Sequence, residues 1–367
     1  MKITHITSAH PRHDIRIFFK ECSSLEKAGN IVHLIVADGK GDETKKGIQI
    51  LDAGAAGKGR FDRMTGAVER AYERAISTKA EIYHLHDPEL LRLVPQLLKH
   101  GKVIYDAHED LPRQIMGKHW IPKPLRRVVS FISEKVENHY ARKVSGIVTA
   151  TPFIADRFRE INSNVANINN YPLLDEFAHI ERKPSAERLI CYIGGITAGR
   201  GIFEMVQAME LVDGKLLLAG NFSNPAEREK AQTLPGWEKI VELGFCDRKK
   251  VREILTSARV GLVVLHPTIN YVDALPVKLF EYMAAGLPVI ASDFPLWREI
   301  VDTARCGKCV NPLDPEKIAR AINWMLDHPE EANKMGNAGK AAVRDRFNWE
   351  AEENKMLEFY WAIKSDF

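Results

Sequence analysis

Short runs of β-branched and aliphatic residues alternate with amphipathic helical stretches along this whole chain, and the pattern restarts halfway. A strand followed by a helix before the next strand cannot be a hairpin. The crossover makes neighbouring strands parallel, and a parallel sheet needs helices over both faces. In the first series the strand candidates are residues 3–8, 31–37, 48–51, 82–84, 103–106, 147–149 and 165–168. The second series restarts at 189–193 and continues through 216–219, 240–243, 260–265 and 289–292, with helices between.

Between the two series lies Asn170–Arg188, a polar stretch with Pro172 and Pro184 and no periodicity, which reads as a linker. With 367 residues the chain suffices for two ordinary cores. The expected fold class is therefore α/β, with two Rossmann-like doubly wound domains over residues 1–175 and 176–348. A terminal helix, 349–367, carries Trp349, Phe359, Tyr360 and Trp361. Aromatics at that density need an apolar partner surface, and the first domain is expected to supply it.

Apolar residues at 45% and charged residues at 28% are ordinary for a folded soluble protein and exclude disordered or fibrous classes. Net charge is +3, but residues 1–172 carry 27 Lys and Arg against 20 Asp and Glu, whereas the remainder carries 25 against 29. Such asymmetry fits an anionic partner for the first half, and equally fits scattered solvated lysines. The five cysteines (22, 191, 246, 306, 309) are too dispersed for a disulfide framework, and one C-x-x-C pair without nearby histidine is no zinc site. No apolar window is long enough for a leader or a span, so a cytoplasmic protein is expected.

In doubly wound sheets, ligands bind beyond the carboxyl ends of the strands, where loops lead into helix N-termini. Four such segments stand out. In Asp273–Ala291 (DALPVKLFEYMAAGLPVIA) Pro276 suits a first helical turn and Gly286 a C-terminal cap. The helix start offers backbone N–H groups from Ala274, Leu275, Val277 and Lys278 to a phosphate, and the Lys278 ammonium adds a cation. Glu281 lies one turn deeper among apolar residues; burying it there requires a hydrogen-bond donor, and a ribose diol is one. In Tyr192–Ala208, Gly194 and Gly195 allow close approach of the backbone to phosphate, and Arg200 can pair with a diphosphate. In Asp106–Pro112, His108 sits just past a strand with acidic neighbours that set its tautomer. In Ser8–Glu21, Asp14 is placed to cap a helix and Arg16 to contact phosphate.

The Asp273–Ala291 string resembles the signature of the large retaining glycosyltransferase family 4, whose fold is called GT-B. That signature is an acidic residue, seven residues, a Glu, then Tyr-Met-Ala-Ala-Gly-x-Pro-Val-Ile-Ala. The likeness covers most of the second half and extends more loosely over the first. It implies a donor nucleotide sugar held by the C-terminal domain across a cleft, with Glu281 on the ribose hydroxyls and Asp273 at the donor sugar. It further implies Arg200 at the diphosphate and His108 at the sugar pocket. Two positions depart from the pattern: Asp273 stands where Glu is usual, and Gly195 stands where a first basic residue is usual, a gap that Lys278 can fill. The expected catalytic set is His108, Asp273, Arg200 and Lys278. The implied donor is a UDP- or GDP-linked sugar, the acceptor a saccharide or lipid-linked saccharide of bacterial surface-polysaccharide type, and the outcome retention.

No Asp-x-Asp occurs and no ligand spacing is visible along the chain, so neither metal nor cofactor is expected. Residues 113–143 hold eight Lys and Arg but only two acids, interleaved with Trp120, Ile121, Leu125, Val128, Val129, Phe131 and Ile132. This stretch suits an anionic membrane surface, and equally a solvated helix face. Nucleic acid is not expected, since no recognition motif is present. Two other readings stand beside glycosyl transfer: a GT-B sugar-nucleotide epimerase, and a non-catalytic nucleotide-sugar sensor.

Overall fold

The structure is a computed structural model that describes residues 1–55, 66–118 and 121–365. Two compact units comprise residues 1–170 with 349–367, and residues 171–348. The chain crosses between them at Asn170–Tyr171, at the head of the segment expected to be a linker.

In the first unit eight strands form one sheet: β1 (Lys2–Ile6), β2 (Ile31–Val36), β3 (Glu43–Lys45), β4 (Ile48–Asp52), β5 (Ile82–Leu85), β6 (Lys102–Ala107), β7 (Gly146–Thr149) and β8 (Val165–Asn167). Their order is β3-β4-β2-β1-β5-β6-β7-β8. All neighbours run parallel except the β3–β4 hairpin at one edge. The second unit holds β9 (Leu189–Ile193), β10 (Lys215–Ala219), β11 (Ile240–Gly244), β12 (Val260–Val263), β13 (Val289–Ser292) and β14 (Gly307–Val310), ordered β11-β10-β9-β12-β13-β14 and wholly parallel. This is the doubly wound order whose direction reverses between β9 and β12, so the loops after those two strands diverge and leave room for a ligand.

Strand alternation explains the cores. In the second unit Ile190, Tyr192, Leu216, Leu218 and Ile290 point to one face of the sheet, and Cys191, Ala219, Val263, Val289 and Ala291 to the other, each face with its own apolar cluster. The first sheet is unequal. Ile6, Tyr83, Leu85 and Tyr105 feed an apolar core on one face. By the same alternation His5, His84, His86 and Asp106 occupy the opposite face, and all four are buried.

Five helices matter below: α1 (Ile15–Cys22), α2 (Lys123–Ala141), α3 (Ile202–Glu210), α4 (Val277–Ala284) and α5 (Trp349–Ser365). Helix α1 has π-type hydrogen bonding, with Phe19 N–H donating to the Asp14 carbonyl five residues back at 3.2 Å. That wider turn stacks Arg16 and Glu21 on one buried side. The Asp14 carboxylate caps α1 by accepting from the backbone N–H groups of Arg16 and Ile17 at 2.8 and 3.0 Å. Helix α5 belongs to the first unit, with Trp349, Met356, Tyr360 and Ile363 buried. Trp349 Nε1–H donates to Ser24 Oγ at 2.9 Å.

Two short strands escape the sequence pattern, β3 and β14. Residues 43–45 are all polar, and 307–310 lack the β-branched run that marks the other strands. Cys306 is buried, and Cys309 sits half-buried on β14 itself. Trp349→Ala should destabilise the first unit by about 3–5 kcal/mol, the range for emptying a large buried aromatic site, measured by urea unfolding. A loss under 1 kcal/mol would show that α5 does not anchor this unit.

Candidate functional site

In the second unit, the β9 loop and the approach to α4 are held together by glycines. Gly201, at φ 78°, starts α3 so close to β12 that an added Cβ would lie 2.1 Å from the Val264 carbonyl oxygen. Gly220 approaches the Gly194 carbonyl equally closely, an added Cβ lying 2.0 Å away. Only glycine tolerates such approaches.

Arg200 and Lys278 converge on this turn. Arg200 Nη1–H donates to the Gly195 carbonyl at 3.1 Å, and Tyr192 Oη–H donates to the same oxygen at 2.8 Å. A Cβ on Gly195 would meet the Arg200 guanidinium at 2.7 Å. The guanidinium therefore fills the space in which the side chain of a basic residue at 195 would begin. Burial works against the Arg200 charge, but the Tyr192 and Tyr271 hydroxyls outweigh it and raise its pKa.

Lys278 Nζ lies 3.7 Å from the centre of the Tyr192 ring and would be 3.1 Å from a Cβ on Gly194. It is buried and has no hydrogen-bond partner among the described residues. Burial, then the nearby Arg200 charge, push its pKa well below the usual lysine value. Two cations close together, one of them unsatisfied, make a site that gains from an anion.

Helix α4 begins at Val277 with Pro276 as its N-cap, so its first N–H groups have no acceptor within the helix. The Leu279 N–H is taken by the Pro276 carbonyl at 3.0 Å. Ala274, expected to offer its N–H to a phosphate, does not: that N–H donates to the Tyr271 carbonyl at 3.2 Å, and its own carbonyl accepts from Trp297 Nε1–H at 2.7 Å. The turn before the helix consumes it. Leu275, Val277 and Lys278 remain at the helix entrance. Asp273 is half-buried in that turn.

Glu281 is one turn inside α4, but its donor is a protein group that sequence reasoning missed. Arg248 Nη1–H donates to Glu281 Oε1 at 3.1 Å, and Arg248 also lies 3.6 Å from Glu176. His266, just past β12, pairs its Nε2 with Glu204 of α3 at 2.9 Å. A polar residue beyond a strand end was the available signal for His266; nothing local marked Arg248.

In the first unit, His108 lies past β6 with its side chain 18% exposed, Nε2 at 3.0 Å from Asp106 Oδ2 and 3.1 Å from His86 Nδ1. Its ring centre is 5.0 Å from that of His10. His10 in turn pairs Nδ1 with Asp87 at 3.1 Å. Burial opposes charge on His10, yet the Asp87 hydrogen bond together with the charges of Asp87, Asp14 and Asp106 outweighs it and raises the His10 pKa. Asp87 also accepts from Thr7 Oγ1–H and the Ser8 N–H, both at 2.7 Å, and so fixes the β1 loop.

Arg16 is not available to a phosphate. It is 3% exposed and donates from Nε and Nη2 to the two oxygens of Asp106 at 3.2 and 3.1 Å, and from Nη1 to the Ile168 carbonyl at 3.0 Å. The π-type turn of α1 rotates it inward to neutralise buried carboxylates. Spacing along the chain shows no metal-ligand set, yet folding assembles two: His5, Glu21, His84 and His86, and His86, Asp106 and His108. Their members come from separate strands and a helix, so no linear motif reveals them. Among the described residues no helix is long and apolar enough to cross a membrane.

Residues 175–342 match the family described as glycosyl transferases group 1. The D-rhamnosyltransferase WbpZ of Pseudomonas aeruginosa is 21% identical over 290 residues, covering 75% of this chain and 71% of that protein. Among solved structures, sucrose-phosphate synthase from Thermosynechococcus elongatus superposes with TM-score 0.81 at 20% identity over 100% of both chains. HepE of Anabaena, in complex with UDP-glucose, gives TM-score 0.73 at 12% identity, covering 99% of this chain and 100% of that one. The fold is GT-B, as the sequence pattern led one to expect, and the family match and relatives support a glycosyltransferase.

Proposed function

We propose that this protein is a retaining glycosyltransferase of family 4 that moves a sugar from a UDP- or GDP-linked donor to a saccharide or lipid-linked saccharide, without a metal at the donor diphosphate. The single observation that carries this reading is the buried Lys278 ammonium, unpartnered beside Arg200 at the entrance of α4. A diphosphate there would accept from Lys278, Arg200 and the first N–H groups of the helix, and the same contacts would stabilise the leaving group as its charge grows. Three fixed positive features do the work of a divalent cation.

Glu281 would take the ribose hydroxyls, with Arg248 holding the carboxylate in place. Asp273 would meet the donor sugar. His108, oriented by Asp106, would hydrogen-bond a sugar hydroxyl. The acceptor hydroxyl then attacks on the face that the leaving group vacates, with no protein nucleophile. The complex of HepE with UDP-glucose supports a nucleotide-sugar donor for this fold.

A further part of the proposal concerns the acceptor. Helix α2 exposes Leu125, Val128, Phe131, Ile132 and Val136, each more than half accessible. Trp120, which the sequence pattern places in the same stretch, lies outside the described residues. Exposed apolar residues among eight basic ones fit insertion at an anionic lipid surface, each basic residue adding about 1 kcal/mol. Such a surface would bring a lipid-linked acceptor to a protein otherwise in the cytoplasm.

Four outcomes follow. Lys278→Met should stabilise the nucleotide-free protein by about 1–3 kcal/mol, because it removes an unsatisfied buried charge, while weakening UDP or GDP binding at least tenfold by calorimetry. The sign with pH is fixed: the unfolded chain binds the lysine proton more tightly, so wild-type stability rises with pH towards the ordinary lysine value, and the variant flattens that rise. A variant less stable than wild type would sink the anion-site reading. Glu281→Ala should weaken donor binding by about 1.5–3 kcal/mol, and unchanged affinity would remove the ribose assignment. Labelled donor should yield a labelled saccharide; a changed hexose on intact nucleotide would mean epimerisation. The full chain should float with anionic vesicles but not with phosphatidylcholine alone, and Phe131→Glu with Ile132→Glu should abolish flotation; equal flotation with both lipids would count against a charge-guided surface.

A further inference from the structure

The polar face of the first sheet holds four ligand-type side chains that donor binding does not use. His5 of β1, His84 of β5, His86 just past β5 and Glu21 of α1 are all fully or almost fully buried, and one ligand atom from each lies within 4.8 Å of the other three. His5 and His84 are register partners on adjacent parallel strands, and His86 follows two residues later on the same face. The three rings are packed at 4.6 to 5.1 Å between centres. Glu21 reaches them from the helix above.

One pair of these ligand atoms is hydrogen-bonded, while Glu21 stands off both at a distance that an ion could bridge. Glu21 Oε2 is 3.9 Å from both His5 Nδ1 and His86 Nε2, too far for a hydrogen bond. His5 Nδ1 and His86 Nε2 are 2.8 Å apart. Around a tetrahedral ion with bonds of about 2.0–2.2 Å, ligand atoms sit roughly 3.3–3.5 Å apart, between those two separations. Movements of about half an ångström would bring the His5, His86 and Glu21 atoms to those spacings.

Hydrogen bonding points the same way. Both oxygens of Glu21 and Nε2 of His84 are buried without a hydrogen-bond partner. Arg16 Nε lies 2.9 Å from Glu21 Oε1, but it directs its hydrogen to Asp106. With Glu21 Oε1 ion-paired to Arg16, Glu21 Oε2 and His84 Nε2 are the two buried atoms of the cluster that, among the described residues, call for an ion or a water. The opposite nitrogen of every ring is held by another group. Tyr360 Oη is 2.5 Å from His84 Nδ1 and 3.3 Å from His5 Nε2, and His86 Nδ1 lies 3.1 Å from His108 and 3.4 Å from Asp106. Metal-bound histidines are oriented in this manner, one nitrogen on the ion and the other fixed by an outer partner.

We propose that His5, Glu21, His84 and His86 form a closed four-coordinate site for a divalent first-row metal ion of the zinc type. Imidazole and carboxylate donors select such ions over calcium or magnesium. With every ligand buried there is no open position, so the ion is structural. It ties β1 and β5 to α1 and, through Tyr360, to α5.

The test uses the full-length protein purified without chelator. Elemental analysis should find close to one equivalent of metal per chain. Stripped protein should regain a higher thermal midpoint on adding Zn²⁺, and with Co²⁺ should show the intense visible bands of a tetrahedral complex. Glu21→Gln and His84→Asn should each lose the metal and the Zn²⁺-dependent rise. No metal above background, together with no thermal shift and no cobalt bands, overturns the site and leaves the orphaned atoms to buried water and a protonated Glu21. Metal retained undiminished by both variants also overturns it. If neither variant folds, the wild-type metal content and the cobalt spectrum decide.

Discussion

A parallel strand cannot turn straight back to its neighbour, and that constraint organises each half of this molecule. Apart from the β3–β4 hairpin, every connection crosses a face of the sheet, so the parallel strands of a series deliver their carboxyl ends to one edge. In the second unit the order reverses between β9 and β12, and the loops after these strands separate there. The glycine turn with Arg200, and the loop leading through Asp273 to α4, are those two loops. Position in the topology, rather than any single residue, makes this edge a place for a ligand.

Buried positive charge then separates structure from chemistry. Arg16 and Lys278 both have their cationic groups withdrawn from water, at a cost that folding must offset. Arg16 is offset from within: Asp106 takes two of its hydrogens and a backbone carbonyl a third, and the Asp106 carboxyl is held well below its usual range by Arg16 and His108 despite burial. Lys278 has no hydrogen-bond partner among the described residues: it faces the Tyr192 ring and a nearby cation of the same sign, and the Glu281 charge only partly offsets its burial. An evolved fold retains such a destabilised group where a ligand completes it.

Much of this was legible in the sequence. Twelve strands follow from short β-branched runs, since burial on both faces of a parallel sheet demands them. The α4 segment was legible because Pro276, Lys278, Glu281 and Gly286 each have a positional reason in a strand–loop–helix unit. What stayed hidden was whatever depends on partners far along the chain. Arg248 meets Glu281 across 33 residues and Arg16 meets Asp106 across 90, so neither leaves a local trace. Ala274 and Arg16 were misjudged for the same reason: their hydrogen-bonding groups are free in the sequence but spent in the fold. The histidine cluster was half visible, because His84 and His86 at alternate positions must share a face, but His5 and Glu21 join them only through pairing and helix docking.

The return of α5 to the first unit has a consequence for biosynthesis. Trp349 and Tyr360 are both buried there, one bonded to Ser24 and the other to His84. A nascent chain leaving the ribosome exposes residues 1–170 long before it releases the helix that completes their packing. The second unit, uninterrupted from 171 to 348, has its whole sequence available earlier. Residues 1–170 therefore precede the second unit in synthesis but are completed after it, and until α5 has been made the surface awaiting it lies open to proteases and chaperones.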